Sequence, residues 1–253
     1  MKFVPKKLEK TAEVSRGDQT WRTFIKNALA IALAIVVFYL ILGGLGELAA
    51  SRIPERWEAD LFSWEYPDWD QESDGYLRAM STFDRLTSDE TLRELPYKLA
   101  ILPDDEPNAF ALPGGTILLT QGLLDSVESE SGLAFVIGHE LGHHQHRHTL
   151  KRVGRSLVLQ TVTAMLFGAS QRSVIQTSLG LAEFSHSRAQ ERQADEYGVQ
   201  LVLGHYGNDG STLEFFEELN RSGATSEADW AAFLSSHPLT EVRLAYLNEL
   251  LEK

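Results

Sequence analysis

The sequence predicts a mostly helical α+β domain with a small β-hairpin, carried behind one N-terminal transmembrane helix. Three observations predict it. Residues 28–46 are nineteen consecutive residues without a charge, rich in Ala, Leu, Ile and Val. Two short apolar runs flank Pro113-Gly114-Gly115. Leu77, Met80, Phe83 and Leu86 recur at helical spacing, and the apolar run Leu133–Ile137 that leads into His139-Glu140-Leu141-Gly142-His143 suits a buried helix.

The N-terminal run comes first. As a helix it is about 28 Å long, close to the ~30 Å hydrocarbon core of a bilayer. Before it, residues 1–27 hold seven basic side chains (Lys2, Lys6, Lys7, Lys10, Arg16, Arg22, Lys26) against Glu9, Glu13 and Asp18, a net of +4. With −13 for the whole chain, the rest carries −17. The positive-inside rule then leaves residues 1–27 as a basic cytoplasmic tail and sends the acidic part to the periplasmic or extracytoplasmic side. A cleaved signal peptide and a buried core helix are the competing readings. The run is long for the first, and the second rarely goes this far without a polar residue. The acidic balance excludes a nucleic-acid binder, which needs a basic face. The absence of cysteine excludes disulfides, thiolate metal sites and a Cys nucleophile.

Residues 47–75 read as a connecting segment, with Trp57, Trp64, Tyr66 and Trp69 among acidic residues. Aromatics there suit either a membrane interface or simple packing. Leu77, Met80, Phe83 and Leu86 predict a helix ending near Thr87, and a second short helix is expected through Leu92 and Leu95 to Pro96. Tyr97–Leu102 reads as a strand. Residues 108–112 and 116–120, either side of Pro-Gly-Gly, read as a hairpin. A sheet edge of this kind can bind an extended peptide through its main chain. Ser129 is the expected N-cap of the next helix. Further on, 157–167 and 174–184 are apolar but broken by polar residues. Neither reaches spanning length, so a buried or surface-lying helical hairpin is expected.

The five residues 139–143 carry the chemistry. Residues four apart share a helix face, so His139 and His143 can address one metal ion. Glu140, beside the first of them, is placed to handle protons of a metal-activated water. His144, His146 and His148 extend a His-rich tract, which alone would also suit a loose metal store. A catalytic zinc needs a third protein ligand. The spacing HExxHxxGxxH is absent, because position 146 is His and position 149 is Thr. The best candidate is the segment 187–196, where Glu191 and Asp195 fall on one helix face. Glu191 can ligate zinc, and Asp195 can accept the free N–H of a ligand imidazole. Ala194 and Gly198 are small enough to let this helix approach the motif helix closely.

HExxH followed by ExxxD in a Ser-Arg…Glu…Ala-Asp context resembles the zinc metallopeptidases that include HtpX and the type I CAAX prenyl endopeptidases. The likeness runs from about Tyr97 to Leu251. It takes in Asn108-Ala-Phe-Ala-Leu-Pro-Gly-Gly115, His148 and the late Ser236-His237-Pro238…Arg243. The resemblance implies a zincin-like fold with one zinc per chain, held by His139, His143 and Glu191. It implies Glu140 as general base, Asp195 behind the ligands, and the strand Asn108, Ala109, Phe110, Ala111 as the substrate-binding edge. It also implies that His237 and Arg243 approach the zinc and stabilise the oxyanion; His237 could instead fill the open zinc position in a latent state. His144, His146, His186 and His205 receive no role, and His148 matches the family without one. HtpX carries several spans where this chain offers one, so prenylated substrates in an intramembrane chamber are not implied.

The expected organisation is a tail (1–27), a transmembrane helix (28–46), a connecting segment (47–75) and a zinc metallopeptidase domain (76–253). The expected function is a membrane-anchored zinc metalloendopeptidase acting on protein or peptide substrates, misfolded or membrane-associated. A metal-regulated chaperone or assembly factor with little turnover is the alternative. Nothing in the sequence sets the oligomeric state.

Overall fold

A computed structural model describes residues 21–63, 73–88, 92–168, 186–217, 233, 234, 236–238 and 240–252. The chain divides into two compact units, residues 1–42 and 43–253.

The first unit holds most of helix α1 (Trp21–Ser51). The helix outruns the predicted span at both ends, because no proline interrupts it before Pro54. Its 31 residues correspond to about 46 Å. Every residue from Trp21 to Ile41 is exposed, and the helix is long and apolar enough to cross a membrane.

In the second unit, the last turns of α1 meet α6 (His148–Phe167) through small residues. A Cβ on Gly46 would lie 2.6 Å from the Gly154 carbonyl oxygen, and one on Gly154 would lie 2.5 Å from the Ala50 Cβ. Arg155 adds a 2.8 Å ion pair to Glu47. The predicted connecting segment contains its own short helix, α2 (Glu55–Leu61). Its buried Glu58 pairs with Arg93, which also donates to the His144 carbonyl at 2.9 Å. The chain after the anchor is thereby tied to the end of the motif helix. Trp57 is half-exposed on α2; Trp64, Tyr66 and Trp69 lie outside the described residues.

Helix α3 (Asp74–Thr87) ends where its apolar spacing ends and is capped by the Ser73 hydroxyl. Its Arg78 donates to the Leu124, Val127 and Glu128 carbonyls, bracing the turn that leads into the motif helix. The helix expected through Leu92–Pro96 does not form. Leu95 N–H and Tyr97 N–H donate only two residues back, Pro96 has no N–H, and Arg93 is drawn to the buried carboxylate of Glu58.

The sheet has three strands: β1 (Lys98–Leu102), β2 (Ala109–Leu112) and β3 (Thr116–Thr120), in the order β1-β3-β2. The hairpin forms as the Pro-Gly-Gly signal predicts, with Phe110 opposite Leu118. Gly114 and Gly115 turn it at φ values of 91° and 96°, which side chains with a Cβ rarely adopt. β1 joins β3 in parallel, Ala100 opposite Leu118. β3 is therefore central and buried along its whole length, while β2 is an edge. Helix α4 (Gln121–Ser126), capped by Thr120, then leads to α5 (Glu130–Gln145), capped by Ser129 as expected. From residue 131 to residue 144 every residue of α5 is buried. Phe135 packs edge-on against Phe216, which sits among Phe215 and Phe233 in the core. Two further helices lie among the described residues, α7 (Arg188–His205) and α8 (Glu241–Leu251). Residues 157–167 belong to α6. The other half of the expected helical hairpin, 174–184, lies outside the described residues.

Candidate metal centre

Two helices bring the key side chains together, and small residues decide how close they come. On α5, Gly138 and Gly142 sit one residue before each motif histidine. On α7 they face Gly198 and Ala194. A Cβ on Gly142 would stand 2.8 Å from Ala194 Cα, and a Cβ on Gly198 would stand 2.9 Å from the His139 nitrogen. The backbones are therefore in contact. The same four-residue step on both helices then sets His139 and His143 opposite Glu191 and Asp195. Helix α7 starts where it must, through a capping box between Ser187 and Gln190.

The donors converge. His139 Nε2 and His143 Nε2 are 3.2 Å apart. The two Glu191 oxygens each lie 3.5 Å from one of these nitrogens. His237 Nδ1 is 3.3 Å from both His139 Nε2 and Glu191 Oε2. Tetrahedral donors about 2.0–2.1 Å from a zinc ion are separated by about 3.3–3.4 Å. The observed spacings match such an edge, so these residues fit a tetrahedral divalent ion. Glu140 also comes within 4.8 Å of His139, His143 and His237 and competes for a place as donor. Glu191 is better placed, because its carboxylate spans both histidine nitrogens. Neither Glu140 oxygen accepts a hydrogen bond from a described residue, though the side chain is buried. Its Oε1 is 3.5 Å from His237 Nε2. A buried acceptor without a donor is costly and suits a water held between it and a metal.

A second ring of contacts orients the first. His139 Nδ1 faces Asp195 Oδ1 at 3.0 Å. Arg243 donates from Nε and Nη2 to the two Asp195 oxygens at 2.8 and 2.7 Å, while its Nη1 lies 2.7 Å from Glu191 Oε2. The guanidinium thus reaches the site by clamping both carboxylates, and its approach to an oxyanion is not a contact of this state. Arg243 is brought there by α8, whose N-cap is Thr240.

The field at the site favours a cation. Burial lowers the pKa of His139, yet its contacts with Asp195 and Glu191 overcome this and hold it at about 9. For Glu191, burial raises the pKa, but His237, His139 and His143 hold the carboxyl well below its ordinary range. Burial opposes ionisation of Asp195 too, and His139 and Arg243 outweigh it. His143 is held well below the ordinary imidazole value, chiefly by burial. Charge that attracts a proton to His139 attracts a divalent ion more strongly.

Other predicted residues fall elsewhere. Asn108, Ala109, Phe110 and Ala111 lie on or beside the edge strand, packed under α5; no described contact joins them to the His–Glu cluster. Asn108 is buried; its N–H donates to Thr120 Oγ1 at 2.8 Å, and its Oδ1 accepts from the Ala109 N–H at 2.9 Å. His144 points away, its Nε2 3.2 Å from the Thr116 carbonyl oxygen. His146 caps α5, and His205 ends α7.

Two histidines without an expected role stand against the cluster. His186 stacks on His143 with ring centroids 3.7 Å apart. His148 Nδ1 is 3.0 Å from His143 Nδ1. His186 carries no spacing signal, and the His-rich tract that contains His148 does not show which of its rings meets His143. Gly138 and Gly142 did carry one, a small residue one step before each motif histidine.

The family model described as Peptidase family M48 matches residues 76–251, which contain all the residues of this cluster. The chain is 28% identical over 172 residues to the mitochondrial metalloendopeptidase OMA1 of Schizosaccharomyces pombe, covering 66% of this chain and 50% of that protein. Against OMA1 of Arabidopsis thaliana it is 30% identical over 160 residues, covering 62% and 32%. Against the beta-barrel assembly-enhancing protease of Escherichia coli K12 it is 30% identical over 176 residues, covering 64% and 36%. The chain spans half or less of the length of these relatives. A catalytic-type His–Glu cluster that fits a metal, set within a family match over most of the chain, places this protein in the metal-dependent peptidase family M48.

Proposed function

We propose that this chain is a membrane-anchored zinc metalloendopeptidase. The observation that carries the reading is the convergence of His139, His143 and Glu191 at tetrahedral spacing beside a buried Glu140 that accepts no hydrogen bond from a described residue. In this reading His139, His143 and Glu191 hold one zinc ion. Zinc, when bound, polarises the scissile carbonyl and makes a water molecule more acidic. Glu140 takes the proton of the attacking water on a carboxylate oxygen and hands it to the leaving amine. Asp195 keeps the proton of His139 on Nδ1, so that Nε2 is free to bind. Arg243 fixes Glu191 and Asp195 in place and neutralises part of their charge.

His237 closes the site in this state. Its Nδ1 lies 3.3 Å from both His139 Nε2 and Glu191 Oε2 and would be available to a bound ion as a further donor. Turned away from the ion, the ring would instead offer its N–H to the developing oxyanion. In this reading a His237 bound to the ion would hold the enzyme latent.

Substrates in this reading are extended segments of misfolded or membrane-associated proteins. Asn108 accepts a bond from the Thr120 N–H, so by antiparallel alternation Phe110 bonds β3 and the main chain of Ala109 and Ala111 points away from it. Both residues are buried and the Ala109 N–H is taken by Asn108 Oδ1, so a substrate strand would pair at Ala111 only once this edge is uncovered. The domain works on the extracytoplasmic side, across the membrane from the basic tail.

The test is cleavage of casein by the purified full chain in detergent, with zinc content measured alongside. Wild type is expected to hold one zinc and to cleave. Glu140→Gln should keep the zinc and lose activity by about 10²–10⁴-fold. His237→Ala should make the chain less latent. Cleavage that survives both chelation and Glu140→Gln defeats the proposal.

A further inference from the structure

His139 and His143 are oriented by different chemistry. A metal-binding imidazole must carry its proton on the nitrogen that faces away from the ion, and something must accept that proton. For His139 the acceptor is the carboxylate of Asp195. For His143 it is another imidazole: His148 Nδ1, at 3.0 Å. His148 is buried, and its Nε2 lies 3.0 Å from Gln193 Oε1. Gln193 is exposed on α7, two residues after Glu191.

We propose that His148 and Gln193 form a tautomer relay that sets His143 for metal binding. The proposal rests on the reading of His143 as a metal ligand. Gln193 Oε1 accepts the Nε2–H of His148. His148 Nδ1 is then a bare lone pair, which holds the His143 proton on Nδ1. That leaves His143 Nε2 without a proton, facing His139 Nε2 and Glu191. The opposite setting is equally well defined. If the amide NH2 of Gln193 faced His148, the His148 proton would move to Nδ1. The His143 proton would then be forced onto Nε2, where it blocks the metal. An exposed amide is thus the outermost element of the site.

The backbone supports this placement. Arg147, at φ 56°, is the one non-glycine residue with positive φ among the described residues. That left-handed turn ends α5 and starts α6 within two residues, bringing His148 back beneath His143. The strained turn is held by Arg147 itself, whose guanidinium donates to the Ile53 carbonyl and lies 3.4 Å from Glu55. His148 and Gln193 touch no reacting atom. They are positioning residues, and a neutral relay leaves His143 a weaker donor than carboxylate-backed His139.

The experiment measures zinc affinity by competition with a chromogenic chelator at pH 7, using the full chain in detergent. The variants are Gln193→Glu, Gln193→Leu, His148→Phe and the double variant His148→Phe/Gln193→Glu. Removing the acceptor in His148→Phe should weaken binding by about 10–100-fold. Gln193→Leu should weaken it less, and Gln193→Glu, an acceptor that cannot flip, should tighten it. In the double variant Gln193→Glu should have no effect, because its path to His143 is gone. Gln193 is exposed, so its variants report even if His148→Phe does not fold, which thermal unfolding of the metal-free chains would reveal. An equal gain from Gln193→Glu in both backgrounds overturns the relay, since that is surface charge alone. Unmoved affinity in both Gln193 variants overturns it as well. A wild-type chain that takes up no zinc overturns this inference and the proposed function together, whereas tight wild-type binding with unmoved variants defeats the relay only.

Discussion

At the scale of single residues, Asp195 sits at the crossing of two demands. It faces His139 Nδ1 at 3.0 Å and takes two hydrogen bonds from Arg243, fully buried. A carboxylate alone can accept from all three donors. In Asp195→Asn the amide NH2 meets either His139 or Arg243, leaving a donor facing a donor. Zinc affinity should fall about 10–100-fold, read by chelator competition, with a lower thermal midpoint from the broken buried pair. Unchanged affinity would mean that His139 needs no orienting partner. These roles differ in how far the sequence announces them. His139, His143, Glu191 and Asp195 lie four apart on two helices, and that step alone puts each pair on one face. His237 and Arg243 come from a loop and a helix start far along the chain, where only likeness to a family marks them. The same likeness marks His148 but gives it no role, and His186 and Gln193 go unmarked, because their meaning arises from a left-handed turn at Arg147 and a packing contact between helices.

At the scale of elements, the motif helix is held at its N-terminus by a residue from another part of the chain. Glu214 accepts the N–H groups of Glu128 and Ser129, at 3.1 and 2.8 Å, where the chain enters α5. Burial raises its pKa, but the Ser129 hydroxyl and these backbone donors outweigh it and hold the carboxyl below its ordinary value. The sign follows. A group whose folded pKa is depressed adds stability above its unfolded pKa and loses it as pH falls through the folded value. Glu214→Gln should therefore lower the thermal midpoint at pH 7. The gap in thermal midpoint between wild type and variant should narrow as pH falls below the ordinary Glu range and close under stronger acid. A constant gap across that range would show that the charge is irrelevant to the cap. The hairpin and most helix limits were legible because Pro-Gly-Gly, Ser129 and apolar spacing act locally. The parallel pairing of β1 with β3 was not, since a register between distant segments leaves no local mark. The missing helix at 92–96 shows a tertiary pair, Arg93 with Glu58, overriding local spacing.

For the molecule as a whole, α1 decides where the chemistry takes place. Many of its large apolar side chains, among them Leu29, Leu33, Phe38 and Leu40, are more than half exposed. The helix is long and apolar enough to cross a membrane. Orientation turns on basic residues near the span, since acidic ones contribute little. Lys10, Arg16, Arg22 and Lys26 precede it, against Arg52 and Arg56 just after it. This bias, four against two, favours an inside N-terminus and an outside domain. The chain should remain in the membrane fraction after an alkaline carbonate wash. A reporter enzyme active only outside the cytoplasm, fused after Ser51, should be active, and its cytoplasm-only counterpart should not. The reverse pattern would put the metal centre on the cytoplasmic face and exclude extracytoplasmic substrates. Release by carbonate would remove the anchor from the account while leaving the His139–His143–Glu191 cluster intact, because those contacts lie entirely within the second unit.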